Sequence, residues 1–196
     1  MVKSFEDVID FHGHICPGLA LGYRVSVCAL KELIGERASD EELVAIVENN
    51  SCAIDAVQII TGCTFGKGNL IFNDYGKQVY TFIKRSSGNS IRISVNWESP
   101  KETKEEKYMW NRYIKGDHSN EVLEVVHSKK SDKVNIILNA NEDELLKVTK
   151  GKMDLPEKAK IYPSLRCSIC WEKVMKPKTK VKNGNILCYP CFEKDN

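Results

Sequence analysis

The final thirty residues constrain the fold most. Cys167-x2-Cys170, seventeen intervening residues, then Cys188-x2-Cys191 set four thiols in two matched pairs. Each C-x2-C pair supplies half of a tetrahedral thiolate site from one turn, which is the spacing of four-cysteine zinc sites. About thirty residues cannot build a sufficient apolar core, so a bound metal has to replace it. Asn183-Gly184, between the pairs, is a hairpin-turn signal. Residues 164–196 are therefore expected to form a finger with structural Zn2+ on Cys167, Cys170, Cys188 and Cys191. Disulfides or a rubredoxin-like iron centre are the competing uses of this spacing.

The other four of the eight cysteines, Cys16, Cys28, Cys52 and Cys63, lie in the first 63 residues. Nothing at the N-terminus resembles the apolar stretch of a signal peptide, which predicts a cytoplasmic protein whose thiols serve metal or redox chemistry. Phe11-His12-Gly13-His14-Ile15-Cys16-Pro17-Gly18 concentrates two imidazoles and a thiol. Pro17 suits the first turn of a helix, which puts Cys16 near its N-cap, where the helix dipole favours thiolate. Residues 51–61 read as a second helix, with Cys52, Asp55, Ile59 and Cys63 on one side and Gln58 at its edge.

His12, His14, Cys16 and Cys63 are the expected ligands of a transition metal, since mixed imidazole and thiolate donors suit zinc, iron, copper or nickel. Cys52, Asp55, Gln58 and Lys67 are the candidate catalytic residues. Two rival readings use the same residues: Cys16 as a metal-free nucleophile resolved by Cys63, or plain packing. Gly62-Cys-Thr-Phe-Gly66-Lys67-Gly68 is no phosphate loop. It has three residues between its glycines where four are needed, and glycine follows the lysine.

Periodicity predicts a short helix from Phe5 to His12, a long one from Pro17 to about Ile34, and strands at Leu43–Val47, 70–73, 78–84 and 91–95. Arg24, inside the long apolar helix, calls for an anionic partner such as Asp55. A helix from Ser99-Pro100 to about Lys115, a strand at 134–138 and a helix at 142–149 complete the pattern. The expected fold is α+β, with a mostly antiparallel sheet packed with helices over residues 1–150, a linker at 151–163 and the finger.

The net charge of +2 is uneven, with residues 163–196 carrying +4. Lys176, Lys178, Lys180 and Lys182 recur at period two, as on one face of a strand. Such a row is more often a solvated edge than a nucleic-acid track, and no recognition helix accompanies it, so nucleic acid is not an expected partner. No apolar run approaches the ~20 residues of a membrane helix.

FHGHICPGLALGYR, NSCAIDAVQIITGCTFGKGNL and the four-cysteine tail together resemble the FmdE family of formylmethanofuran dehydrogenase components. The resemblance spans roughly residues 5–97 and the tail, while 100–163 carries no matching string. It implies a treble-clef zinc finger at the C-terminus, as in some relatives. It also implies a link to the molybdenum or tungsten enzyme that reduces carbon dioxide to a formyl group on methanofuran. In those complexes the pterin and iron–sulfur chemistry lies in other subunits, and this chain has no ferredoxin-type cysteine run. The resemblance therefore implies association with one-carbon or molybdopterin metabolism and with other subunits of such an enzyme, with no reaction specified. A homodimer is expected. The alternative is a zinc-finger adaptor or regulator that binds nucleic acid or a partner protein, with a purely structural core.

Overall fold

The computed structural model describes residues 3–194 and divides into two compact units, 1–158 and 159–196. In the first, α1 (Phe5–His12) starts on a reciprocal capping box between Ser4 and Asp7 and stops at Gly13, whose φ of +89° suits glycine. α2 (Pro17–Ala29) has Cys16 as its N-cap and runs into a π-helical turn, Leu30–Ile34, closed by Gly35. Then come β1 (Leu43–Val47), α3 (Ala53–Thr61), β2 (Leu70–Phe72), β3 (Val79–Lys84) and β4 (Asn89–Val95). α4 (Lys104–Ile114), α5 (Asn120–Asn139), α6 (Glu142–Leu145) and β5 (Leu146–Lys152) follow.

The sheet order is β2-β1-β3-β4-β5, with only the β1–β2 pair parallel. Its buried side chains, among them Leu43, Tyr80, Phe82, Ile91 and Ile93, pack in one cluster with Ala20 and Val25 of α2, Val57 of α3 and Ile137 of α5. Each large side chain so buried is worth about 1.5–3 kcal/mol. The architecture is α+β with an antiparallel-dominated sheet.

The region without matching strings holds the largest departures from expectation. Residues 134–138, read as a strand, belong to the twenty-residue helix α5. Val122, Val126, Val134 and Ile137 are its buried positions, a helical spacing that outweighs the local β-branched run. α4 is capped by Thr103, not Ser99, because Thr103 and Glu106 form a complete capping box. The helix expected at 142–149 is a single turn, α6, before β5, and β5 takes Gly151 and Lys152 into the sheet beside Ser90 and Asn89. Arg24 does not meet Asp55. Its guanidinium donates to the carbonyls of Ile137, Leu138 and Ala140, capping the end of α5.

The second unit pairs β6 (Ser164–Arg166) with β7 (Lys173–Met175) and β8 (Thr179–Lys182) with β9 (Asn185–Cys188), and ends in α7 (Tyr189–Lys194). Asn183 and Gly184, at φ +50° and +80°, make the turn between β8 and β9. The lysine row is broken. Lys176–Lys178 is a 3-10 turn around Pro177, so only Lys180 and Lys182 lie on a strand, and Lys180 sits over the Tyr189 ring at 5.4 Å. No described helix is long and apolar enough to cross a membrane.

Candidate metal centre and adjoining cavity

A close helix crossing builds the core site. A Cβ on Gly22 would overlap the Ala53 backbone, and one on Gly18 would touch the Cys52 side chain at 3.5 Å. The two glycines on one face of α2 thus let α3 approach until both N-caps, Cys16 and Cys52, meet. The α1–α2 turn adds two imidazoles, whose ring centroids are 4.3 Å apart. The ligating atoms of His12, His14, Cys16 and Cys52 lie within 4.8 Å of one another.

His12 Nδ1 is 2.7 Å from Asp55 Oδ2, while His12 Nε2 is buried without a partner. With Nδ1 turned to Asp55, Nε2 is the ring nitrogen that would face a metal. A buried ring nitrogen left in this state is costly unless something binds it. The Cys16 sulfur accepts from the Leu19 N–H at 3.4 Å. Burial and the adjacent Cys16 thiol push the Cys52 thiol above its ordinary value. The donor set fits a transition metal.

Cys63 is not in this group; Cys52 takes its place. Gly62 ends α3 at φ +77° and turns the chain off the helix axis, so the helical projection that aligned Cys63 with Asp55 fails one residue too early. Cys63 is fully buried, its thiol on the Leu43 carbonyl at 3.5 Å, and burial pushes it up to about 11. Gln58 donates to Asp55 Oδ1 at 3.4 Å and accepts from the Phe65 N–H at 3.2 Å. Lys67 reaches the carbonyls of Ser39 and Asp40 instead. Cys28 is a core residue.

A cavity of about 410 Å³ adjoins the centre on the side of His12, Cys52 and Asp55. Its walls are Val47, Ile54, Phe65, Leu70 and Phe72, with Asn49, Asn50, Ser51 and Gln58 between them. Asn49 shapes this end of α3: it donates to the Lys77 carbonyl and accepts from both the N–H and the hydroxyl of Ser51. Phe65 and Phe72 carried no signal beyond hydrophobicity. Their exposure is what marks them.

In the second unit Cys167, Cys170, Cys188 and Cys191 form the other four-donor group, likewise within 4.8 Å. N–H groups of Cys188 and Cys170 lower the Cys167 thiol to about 6, while the neighbouring Cys188 thiol and burial push Cys191 up to about 12. Four converging thiols of opposed acidity are the donor chemistry of a thiolate-bound cation, and the cluster fits a zinc finger.

A curated protein of Archaeoglobus fulgidus, described as a probable S-adenosyl-L-methionine-binding protein, is 35% identical over 188 residues. The match covers 93% of this chain, which spans about half the length of that relative. A tungsten formylmethanofuran dehydrogenase FmdE-like protein from Syntrophus aciditrophicus shares the fold with a TM-score of 0.60 at 23% identity, over 98% of this chain and 94% of that one. The model of the family described as "FmdE, Molybdenum formylmethanofuran dehydrogenase operon" matches residues 11–147, taking in α2, α3, the His/Cys turn and most of the sheet. This chain belongs to the FmdE family.

Proposed function

We propose that the first unit is a metal-dependent ligand-binding module in which His12, His14, Cys16 and Cys52 hold one transition-metal ion beside the cavity. The buried, unpartnered Nε2 of His12, with Asp55 fixing its tautomer, carries this reading. Two imidazoles and two thiolates suit Zn2+ best among the common ions. Held by four protein donors, such an ion would fill its tetrahedral shell and tie the His12–Cys16 turn to the start of α3 beside the cavity. Asp55 orients His12 and holds its proton, Gln58 ties Asp55 to the Phe65 loop, and the apolar walls exclude water from the ligand. The finger binds a structural Zn2+. The module serves one-carbon metabolism of the formylmethanofuran dehydrogenase type, as a homodimer alongside other subunits.

The test is metal content of the full chain. We expect about two zinc ions per chain, falling to about one in His12→Ala and in Cys16→Ser, with the finger still loaded. Two ions retained in both variants would refute the core site.

The Archaeoglobus relative supports a second reading, in which S-adenosyl-L-methionine occupies the cavity. Half of that relative lies outside the match, so equilibrium dialysis of this chain with the labelled compound decides it. Saturable binding lost in Phe65→Ala supports it, and no binding refers the ligand to the other half.

A further inference from the structure

The charges around the cavity exclude a large class of ligands. No Lys or Arg lines it among the described residues; the ionisable groups on its wall are His12, Cys52 and Asp55. Two helix N-termini, those of α2 and α3, converge here and would by themselves attract an anion. The protein already answers them. The Cys16 sulfur accepts from the Leu19 N–H at the start of α2, and Asp55 stands in the first turn of α3, whose N-cap residue Cys52 makes no side-chain cap bond. Asp55 thus puts an acidic side chain on a wall that carries no lysine or arginine among the described residues.

The hydrogen-bonding groups still open to a polar ligand are few, the Asn50 amide chief among them. Both ends of the Asn49 amide are used, and so are both ends of Gln58. What the cavity offers instead is apolar area. Phe65 and Phe72, on its wall, are 78% and 42% exposed. An aromatic ring left in water forgoes the burial that a flat ligand laid on its face would restore, and aromatic pairs add about 0.5–1.5 kcal/mol beyond that area.

We propose that the cavity binds a flat aromatic molecule that is neutral or cationic, and that it rejects phosphorylated coenzymes. This rests on the reading of the first unit as a ligand-binding metal module and fixes the chemical class of its ligand. A phosphate here would meet no lysine or arginine, would face Asp55, and would lose its hydration without an ion-pair partner.

The experiment compares adenosine, AMP and ATP by calorimetry on the zinc-loaded full chain, with zinc counted in the same samples. One ring system is shared, so the phosphates are the only variable. We expect adenosine to bind at least tenfold more tightly than AMP, with ATP weaker still. Phe65→Ala, a change at an exposed position, should weaken adenosine severalfold, and Asp55→Asn should narrow the gap between adenosine and AMP. AMP or ATP binding as tightly as adenosine overturns the proposal, as does the absence of binding by all three. The zinc count separates the two readings. A loaded core that binds no ring defeats the cavity assignment alone, whereas a core without zinc defeats the metal reading and leaves the ring comparison still readable.

Discussion

The two four-donor clusters reach similar geometry by opposite routes. In the finger the donors come as two local pairs, and the apolar cluster around Cys167 and Cys188 is small, with Leu187, Val174 and Phe192 its chief members. In the first unit, His12, His14 and Cys16 come from one turn, but Cys52 arrives through the crossing of α2 and α3, above a core running from Ala20 to Leu146. We expect metal to make the fold in the finger, and the fold to make the metal site in the core. Removing metal should therefore do very different things to the two.

The largest effect belongs to the finger. Structural zinc supplies about 10–16 kcal/mol to a domain of this kind, so Cys188→Ser should abolish amide-exchange protection across 164–194 and leave the β1–β3–β4 amides protected. A finger that stays protected would erase the contrast. The next effect acts on the crossing itself. Gly22→Ala drives a methyl into the Ala53 backbone, and we expect a loss of about 1–3 kcal/mol in urea unfolding of the first unit together with weaker core metal binding. Stability lost with metal affinity unchanged would show that the crossing does not set the site. Cys63→Ala should cost about 1–2 kcal/mol as a small buried cavity and leave metal content untouched. The smallest change in stability is expected for Asp55→Asn, under about 1 kcal/mol, yet core metal affinity should fall about 10–100-fold in a competition assay with a chelating dye. Unaltered affinity would remove Asp55 from the site.

What was legible in the sequence follows the same division. The convergence of the finger's four cysteines and its Asn183-Gly184 turn could be read directly, because the spacing and turn they need are local. So could α1, Cys16 beside Pro17, and β1, where capping and periodicity agree. Cys52 stood out only as a member of a helical face, and projecting that face onto Cys63 ignored the left-handed residue at Gly62. No local signal says that Gly22 lets α3 come close enough for Cys52 to reach Cys16; that is a property of two surfaces in contact. The same holds for α5, where four β-branched or long apolar residues among the five from Val134 to Leu138 resemble a strand until the burial of Val122, Val126 and Val134 is seen.

The exchange between Cys52 and Cys63 tests the central claim most directly. Zinc should be counted on the full chain carrying Cys52→Ser and, separately, Cys63→Ala, after equilibration with excess metal and removal of the unbound ion. A site made by the fold from the caps of α2 and α3 predicts about one zinc per chain in Cys52→Ser and about two in Cys63→Ala. The reverse result, with zinc lost at Cys63 and kept at Cys52, would contradict it.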